Sequence, residues 1–223
     1  MTYLDIIDFQ INKPYEIKKS DRAIINKGIK DKLKWSDDYY SDLKVSIRTH
    51  LRPLQKGRCG FCRLRISKSQ FYPHLEHIVP KWANPEFEFE AANLVWSCQR
   101  CNFGKGVSKT LIGDHKIFPN KSDAFLIVNP YHDKLSDHIE LIEDLIMVPK
   151  IDSTKGENTI DFYKLARIEL AEDRAFELKT INNDLTPAQI VGRLTLRLTR
   201  EYDPRIIAII DRYISLVPNW IID

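Results

Sequence analysis

The sequence lacks the features that mark membrane-spanning and secreted proteins. Its longest apolar runs, such as 206–210, are far shorter than the roughly 20 residues that a transmembrane helix needs. Its first ten residues include Asp5 and Asp8 and do not show a basic stretch followed by an apolar one. We therefore expect no secretory signal, no membrane partner and a cytoplasmic location.

The chain also has little net charge: 34 basic and 31 acidic side chains among 223 residues give +3. This balance says little about partners, but the distribution of charge is uneven. Residues 56–109 contain nine basic and four acidic residues, which makes this segment +5 and the rest of the chain −2. The segment also contains all four cysteines, so we expect the chemistry of the protein to lie there.

Hydrophobic spacing and turn residues predict an α+β protein with three parts. We expect an N-terminal arm and helix over 1–55, a compact centre of short strands and one short helix over 56–115, and a mainly helical lobe over 116–223. The predicted elements are a possible N-terminal strand followed by an irregular arm, a helix over 37–54, a hairpin over 141–148, and helices over 159–182, 187–200 and 204–216.

The four cysteines form two pairs, Cys59-Gly-Phe-Cys62 and Cys98-Gln-Arg-Cys101, separated by 35 residues. Each two-residue gap lets both thiolates of a pair point the same way, and two such pairs complete the tetrahedral shell of a Zn²⁺ ion. Two disulfides or a redox dithiol are the alternatives. A cytosolic setting disfavours stable disulfides, and a thioredoxin-like motif needs one pair, not two. We therefore predict a structural zinc ion that stabilises the fold and takes no part in catalysis.

Four further residues, Glu76, His77, Asn93 and Asn102, come close together if an ion joins the cysteine pairs. Carboxylate and amide oxygens suit Mg²⁺ or Mn²⁺, and a neutral imidazole can take a proton from water near pH 7. The set suits metal-dependent phosphodiester hydrolysis. Alone, Glu76-His77 would indicate a surface acid beside a half-buried histidine, but the flanking cysteine pairs favour catalysis.

Two stretches of the sequence resemble HNH endonucleases of the zinc-stapled ββα-metal type: Glu76-His77-Ile-Val-Pro and Asn93-Leu-Val-Trp-Ser-Cys98-Gln-Arg-Cys101-Asn102-Phe-Gly-Lys105. The resemblance implies a central, treble-clef-like ββα-metal unit. Glu76 and Asn102 would be ligands of the catalytic ion, His77 the general base, and Asn93 the residue that braces the loop and orients the histidine. Many relatives have histidine at the position of Asn102, which leaves the preferred ion open. Lys105 matches a basic position near the scissile phosphate.

A weaker resemblance extends beyond this core. Trp35, the stretch from Gln55 to Cys62, Asn129-Pro130-Tyr131 and Arg174 are similar to positions in HNH proteins of prokaryotic antiphage systems, above all the nuclease of Septu-like and retron-linked modules. This resemblance implies an antiphage effector that cuts DNA and works with a partner ATPase.

Basic residues around the cysteine pairs form a candidate nucleic-acid-binding surface: Arg63, Arg65, Lys68, Lys81, Arg100, Lys105 and Lys109. Such contacts recognise the backbone, so we expect little intrinsic sequence specificity. Trp82 and Trp96 offer rings for base stacking, although packing around the small core is the preferred interpretation of both. A solvated side chain is preferred for His74.

Two alternatives to DNA cleavage stay open. The substrate could be RNA, such as tRNA, because the predicted site recognises phosphate more than sugar. The chain could also be a zinc-stapled nucleic-acid- or protein-binding module that does not cut; the presence of Glu76, His77 and Asn102 together favours the nuclease. Apolar residues of the last predicted helix and the tail, Ile206, Ile207, Ile209, Ile210 and Trp220, are candidates for docking an ATPase or a second copy.

Overall fold

The computed structural model of the chain describes residues 4–66, 74–105, 109–182 and residue 204. Over these residues the protein is a mixture of α-helices and two separate two-stranded antiparallel sheets. The elements in chain order are α1 (Leu4–Ile7), α2 (Lys19–Lys30), α3 (Ser41–Leu54), β1 (His74–His77), β2 (Leu94–Ser97), α4 (Gln99–Gly104), α5 (Leu135–His138), β3 (Ile139–Ile142), β4 (Ile146–Pro149), α6 (Thr154–Tyr163) and α7 (Ile168–Asn182).

The N-terminal arm contains two helices where we expected a strand and an irregular segment, so that expectation is wrong. α2 begins where it does because the buried Asp21 carboxylate accepts hydrogen bonds from the Lys18 N–H (2.9 Å) and the Tyr15 hydroxyl (3.0 Å). Between α1 and α2 the chain is extended, and Phe9 and Ile11 are buried without belonging to a sheet. Their burial accounts for the apolar pattern that suggested a strand.

The helix predicted over 37–54 is confirmed as α3, preceded by a 3₁₀ turn over Asp38–Tyr40. Leu43, Ile47 and Leu51 are buried at four-residue intervals, as expected for one face of a helix. Lys44 and Arg48 each follow a buried residue by one position, so they lie at the edge of this face.

The central segment folds as two strands followed by a short helix. β1 and β2 pair antiparallel, with Glu76 opposite Val95 and His77 opposite Leu94. β2 leads through Cys98 directly into α4, and α4 packs against β1. The short strands and the one short helix expected here are therefore present.

The hairpin expected over 141–148 is confirmed as β3 and β4, but the single helix expected over 159–182 is wrong. Lys164 adopts a left-handed conformation (φ 53°), which ends α6, and α7 begins four residues later. This break leaves Tyr163 fully buried, with its ring stacked on Phe61 at a centroid distance of 3.7 Å. Tertiary packing therefore divides a stretch whose spacing suggested one helix.

Within the described ranges, no helix combines the length and low polarity that crossing a bilayer requires. The helix predicted over 187–200 lies outside the described residues, as does all but residue 204 of the helix predicted over 204–216. The apolar residues suggested there for docking also lie outside them.

Candidate active site and metal centre

The four cysteines converge on one point of the fold. Their sulfur atoms all lie within 4.8 Å of one another, and the Sγ atoms of Cys62 and Cys98 are 3.8 Å apart. Three of the four side chains are buried, Cys98 is half-buried, and all four are free thiols. The cluster joins two stretches of chain that are far apart in sequence.

The geometry of this cluster fits a tetrahedral metal ion. Four Zn–S bonds of about 2.3 Å place neighbouring sulfurs about 3.8 Å apart, which is the separation of Cys62 and Cys98, whereas a disulfide requires about 2.05 Å. The cluster could therefore hold a metal such as zinc. The two-disulfide alternative does not match the convergence of all four sulfurs.

Gln55 fixes the two cysteine pairs relative to each other. Its buried side-chain amide donates to the carbonyls of Arg58 (3.0 Å) and Trp96 (2.7 Å), while its oxygen accepts from the Trp96 N–H (3.0 Å). Gly60 allows the same close approach, because a Cβ there would lie 2.3 Å from a methyl of Val95. The first cysteine pair thus packs directly on β2.

Arg63, expected on the nucleic-acid surface, is instead fully buried, so that prediction is wrong. Its guanidinium donates to the carbonyls of Ile6 (3.1 Å), Cys59 (3.1 Å) and Gln55 (3.3 Å) and lies over the Phe9 ring. A buried charge needs such acceptors. Arg63 therefore attaches the N-terminal arm to the first cysteine pair and cannot reach a phosphate.

Helix α7 covers the other side of the metal centre. The fully buried Arg174 donates to the carbonyls of Leu145 (2.7 Å) and Cys62 (3.3 Å). Glu177 accepts from the Arg58 guanidinium (2.7 Å) and from the Arg65 N–H (2.6 Å). α7 is thus bonded to the backbone on both sides of the first cysteine pair.

A cleft of about 560 Å³ opens beside the metal centre, between α3, β1 and α4. It is lined by three of the four residues predicted to carry the chemistry, Glu76, His77 and Asn102. The other lining residues are Trp35, Ser36, Lys44, Arg48, His74, Leu75, Pro80, Lys81, Trp82 and Lys105. The lining holds four lysine or arginine side chains and one carboxylate, so the cleft attracts anions.

His77 is held as a neutral imidazole with a defined tautomer. Its Nε2 lies 2.9 Å from the Glu88 carbonyl, and because a carbonyl only accepts, Nε2 carries the proton. The Trp35 ring packs edge-on against the imidazole at 5.3 Å. Burial, with a smaller contribution from the nearby charges of Lys105 and Lys81, lowers the pKa of His77 to about 4, against the hydrogen bond to Glu88. Nδ1 is therefore the basic nitrogen at neutral pH.

Asn93 closes the loop between β1 and β2 from inside. Its fully buried side chain accepts from the Val79 N–H (2.6 Å) and donates to the carbonyls of Val79 (3.1 Å) and Phe87 (3.0 Å). Phe87 immediately precedes Glu88, whose carbonyl orients His77. Asn93 lies outside the cleft and acts on it through the backbone.

Glu76 and Lys105 form an ion pair at the floor of the cleft. The Lys105 ammonium contacts the Glu76 carboxylate and the His77 carbonyl, and both side chains are almost inaccessible to solvent. Burial lowers the pKa of Lys105, and the charge of Glu76 opposes that shift. A cation therefore already lies against the carboxylate predicted to bind a metal ion.

The remaining predicted nucleic-acid contacts lie in different places. Lys81 is exposed at the cleft, with its ammonium 3.7 Å from the Glu88 carboxylate. Arg65 is exposed and Arg100 forms an ion pair with Asp173 of α7; neither lines the cleft. Lys109 is exposed, and Lys68 lies outside the described residues. The contact of all five side chains with nucleic acid stays a prediction.

Three cleft residues were missed or misinterpreted in the sequence. Lys44 and Arg48 lie outside the cysteine-rich segment, and only their shared position on one edge of α3 could have suggested a role. Trp82 was expected in the core but is 56% exposed, so that expectation is wrong. The expectation is confirmed for Trp96, which is buried. His74 is half-buried and lines the cleft.

Comparison with known proteins finds two named homologues. The chain is 32% identical over 179 residues to the Septu protein PtuB of Bacillus mycoides (strain KBAB4). The aligned region covers 70% of this chain and 59% of that protein. It is 29% identical over 126 residues to the Septu protein PtuB of Bacillus thuringiensis. That aligned region covers 56% of this chain and 43% of that protein. The chain is a homologue of Septu PtuB proteins.

The chain spans about half the length of these curated PtuB relatives. No protein-family model matches it. The names of the homologues agree with the resemblance to Septu-like modules that the sequence motifs indicated.

We expect Cys98→Ser to remove the bound metal and to destabilise the fold, because a structural zinc site contributes about 10 kcal/mol or more of folding free energy. Zinc content per chain and the midpoint of thermal unfolding measure the effect. Cys98→His is the matched control: the half-buried position has access to solvent, and an imidazole can replace one thiolate of a zinc shell. A metal-free Cys98→Ser protein as stable as the unmutated chain would contradict the assignment.

We expect the His77 imidazole to be neutral, with its proton on Nε2, at pH 6. Its pKa is lowered from 6.5 to about 4, so between these values the unfolded chain binds a proton that the folded chain does not. Folding stability should therefore fall as the pH drops from 6.5 to 4, by about 3 kcal/mol from this group. Long-range ¹H–¹⁵N NMR of the ring measures the tautomer, and an imidazolium at pH 6 would disprove it.

Proposed function

We propose that the chain is a metal-dependent HNH endonuclease that hydrolyses phosphodiester bonds, with DNA as its substrate and an antiphage defence system as its setting. The observation that carries the proposal is the placement of Glu76, His77 and Asn102 around one basic cleft beside the four-cysteine cluster. The strand–strand–helix order of β1, β2 and α4 supports a ββα-metal unit within residues 56–115. The PtuB names of the homologues support the defence role.

His77 is the general base in this proposal. Its Nε2–H is engaged by the Glu88 carbonyl, which leaves Nδ1 to accept a proton from the attacking water. The lowered pKa keeps the imidazole unprotonated at neutral pH, so the base is available without a change of state. Asn93 is a positioning residue, because its hydrogen bond to Phe87 holds the backbone that presents the Glu88 carbonyl.

Glu76 and Asn102 would hold the catalytic Mg²⁺ or Mn²⁺. Both offer hard oxygen donors to the same cleft, and the Lys105 ammonium already at Glu76 indicates that this carboxylate accepts a cation. When bound, such an ion stabilises the negative charge that develops on the scissile phosphate. The cysteine cluster is separate from this site, and we assign it a structural zinc.

Lys105 would change partner when the site is loaded. With a divalent ion at Glu76, the ammonium is free to leave the carboxylate and contact the phosphate, as the resemblance to HNH proteins implies. Lys81 at the rim of the cleft would provide a second phosphate contact. Cleavage would then depend on displacing the Lys105–Glu76 ion pair.

The Septu name of the homologues supports a multi-protein defence assembly. We propose an ATPase as the partner that controls cleavage, since an unrestrained nuclease would damage the host genome. The activity, substrate and partner are proposed for the chain as a whole.

We expect the protein to nick supercoiled plasmid in Mg²⁺ or Mn²⁺, and His77→Ala to lower the rate about 10²- to 10⁴-fold, as loss of a general base does. His115→Ala is the matched control, since His115 also contacts a backbone carbonyl through Nε2 (2.9 Å, to Ile112) but lies outside the cleft. Gel assays of nicking with plasmid and with tRNA separate the DNA and RNA alternatives.

Nicking that survives His77→Ala would disprove the assignment of the base. Metal-dependent binding of nucleic acid without any cleavage, with the proposed partner present, would favour the non-cutting module instead.

We expect Lys105→Met to bind Mn²⁺ about tenfold more tightly than the unmutated chain, because the ammonium no longer competes for Glu76. Calorimetry or electron paramagnetic resonance on zinc-loaded protein measures the affinity. Lys109→Met, which removes an exposed charge four residues from Lys105 in the sequence, should leave the Mn²⁺ affinity unchanged. Equal affinities of Lys105→Met and the unmutated chain would contradict the competition, and Glu76→Gln should abolish Mn²⁺ binding at this site.

A further inference from the structure

We propose that the cleft binds a nucleic-acid segment in which the base is unpaired, with that base stacked on Trp82 and the adjoining phosphates held by Lys44 and Arg48. This inference rests on the proposed nuclease function and specifies its substrate: a single strand, or a site where the duplex is opened. The sequence motifs indicate the catalytic groups but do not indicate whether the substrate strand is paired.

Trp82 lines the cleft with a solvent-exposed indole ring. It is 56% exposed, whereas Trp35, which also lines the cleft, and Trp96 are buried. The turn that carries it is defined by backbone hydrogen bonds from the N–H groups of Ala83 (3.0 Å) and Asn84 (3.1 Å) to the Pro80 carbonyl. An exposed indole on a fixed turn is a suitable platform for a nucleobase, which can offer its face only after leaving the helical stack.

Lys44 and Arg48 supply positive charge from a second element. They lie four residues apart on α3, about 6 Å along its axis, and both line the cleft. The Lys44 ammonium is fixed by the Asp37 carbonyl (3.1 Å) and by the Trp35 ring (5.5 Å). Lys81 and Lys105 line the same cleft, so positive groups from α3, from the turn after β1 and from the end of α4 surround Glu76 and His77.

The size of the cleft favours an unpaired segment. A volume of about 560 Å³ lies in the range of small-ligand sites, so the cleft has room for a nucleotide that has left its partner strand. A paired base keeps its face inside the duplex and gains nothing from Trp82. The combination of an aromatic platform with a basic groove is the one that single-strand-binding proteins use.

The test measures binding without cleavage. The 223-residue chain carrying His77→Ala is titrated against a fluorescein-labelled 20-nucleotide single strand and its duplex, each as DNA and as RNA, and anisotropy gives the affinity. We expect Trp82→Ala to weaken single-strand binding about tenfold and duplex binding much less. Trp82→Phe, which keeps an aromatic face, should retain most of the affinity.

The salt dependence of the affinity tests the phosphate contacts of Lys44 and Arg48. Each phosphate contact on a single strand contributes about 0.7 to the slope of log K against log salt, so Lys44→Ala with Arg48→Ala should reduce the slope by about 1.4. Lys27→Ala with Lys30→Ala removes two exposed charges from α2, outside the cleft, and should leave the slope unchanged. Thermal unfolding of each variant confirms that the fold is intact.

The inference is overturned if Trp82→Ala weakens single strand and duplex equally, or weakens neither, or if the control pair on α2 changes the slope as much as the pair on α3. Loss of nicking activity would not produce these outcomes, because binding is measured in a non-cleaving background. Trp82-dependent single-strand binding in a protein that never cuts would keep the inference and remove the nuclease.

Discussion

The convergence of four sulfur atoms is the constraint on which the rest of the site depends. It joins the turn over Cys59–Cys62 to the start of α4, 36 residues after Cys62. Because α4 begins at the second cysteine pair, the cluster fixes the orientation of α4. It thereby fixes the positions of Asn102 in the helix and of Lys105 after it. β1 pairs with β2, which leads into α4, so this pairing and the cluster together position Glu76 and Asn102 at one cleft.

Three largely buried ionisable side chains at the site each have an oppositely charged or hydrogen-bonding neighbour. The Glu76 carboxylate has Lys105, and the Arg63 guanidinium has three carbonyls. The His77 imidazole stays neutral because burial lowers its pKa, and the Glu88 carbonyl accepts its one N–H. A buried ion pair is expensive to desolvate and gains little net stability. Its presence at the floor of an accessible cleft therefore favours a functional over a stabilising role.

The local chemistry could be predicted from the sequence much better than the surroundings. Cysteine spacing predicted the cluster. An ion joining the two pairs was expected to bring Glu76, His77, Asn93 and Asn102 together, and all but Asn93 line one cleft. Arg63 shows the limit: nothing in its neighbours indicates that the N-terminal arm folds over it. Lys44 and Arg48 show the same limit, since they reach the cleft only through the packing of α3. The break at Lys164 was invisible for a related reason, because tertiary packing around Tyr163 overrides helical spacing.

Helix α7 has a consequence for how much of the chain constitutes the catalytic unit. Arg174 is fully buried and donates its protons to Leu145 and to Cys62, so removal of the helix would leave two carbonyls unsatisfied and open the back of the first cysteine pair to water. We therefore expect the motif-bearing residues 56–115 to need α7 for a stable fold. A graft of the motif alone onto another scaffold would have to supply a substitute for that buried guanidinium.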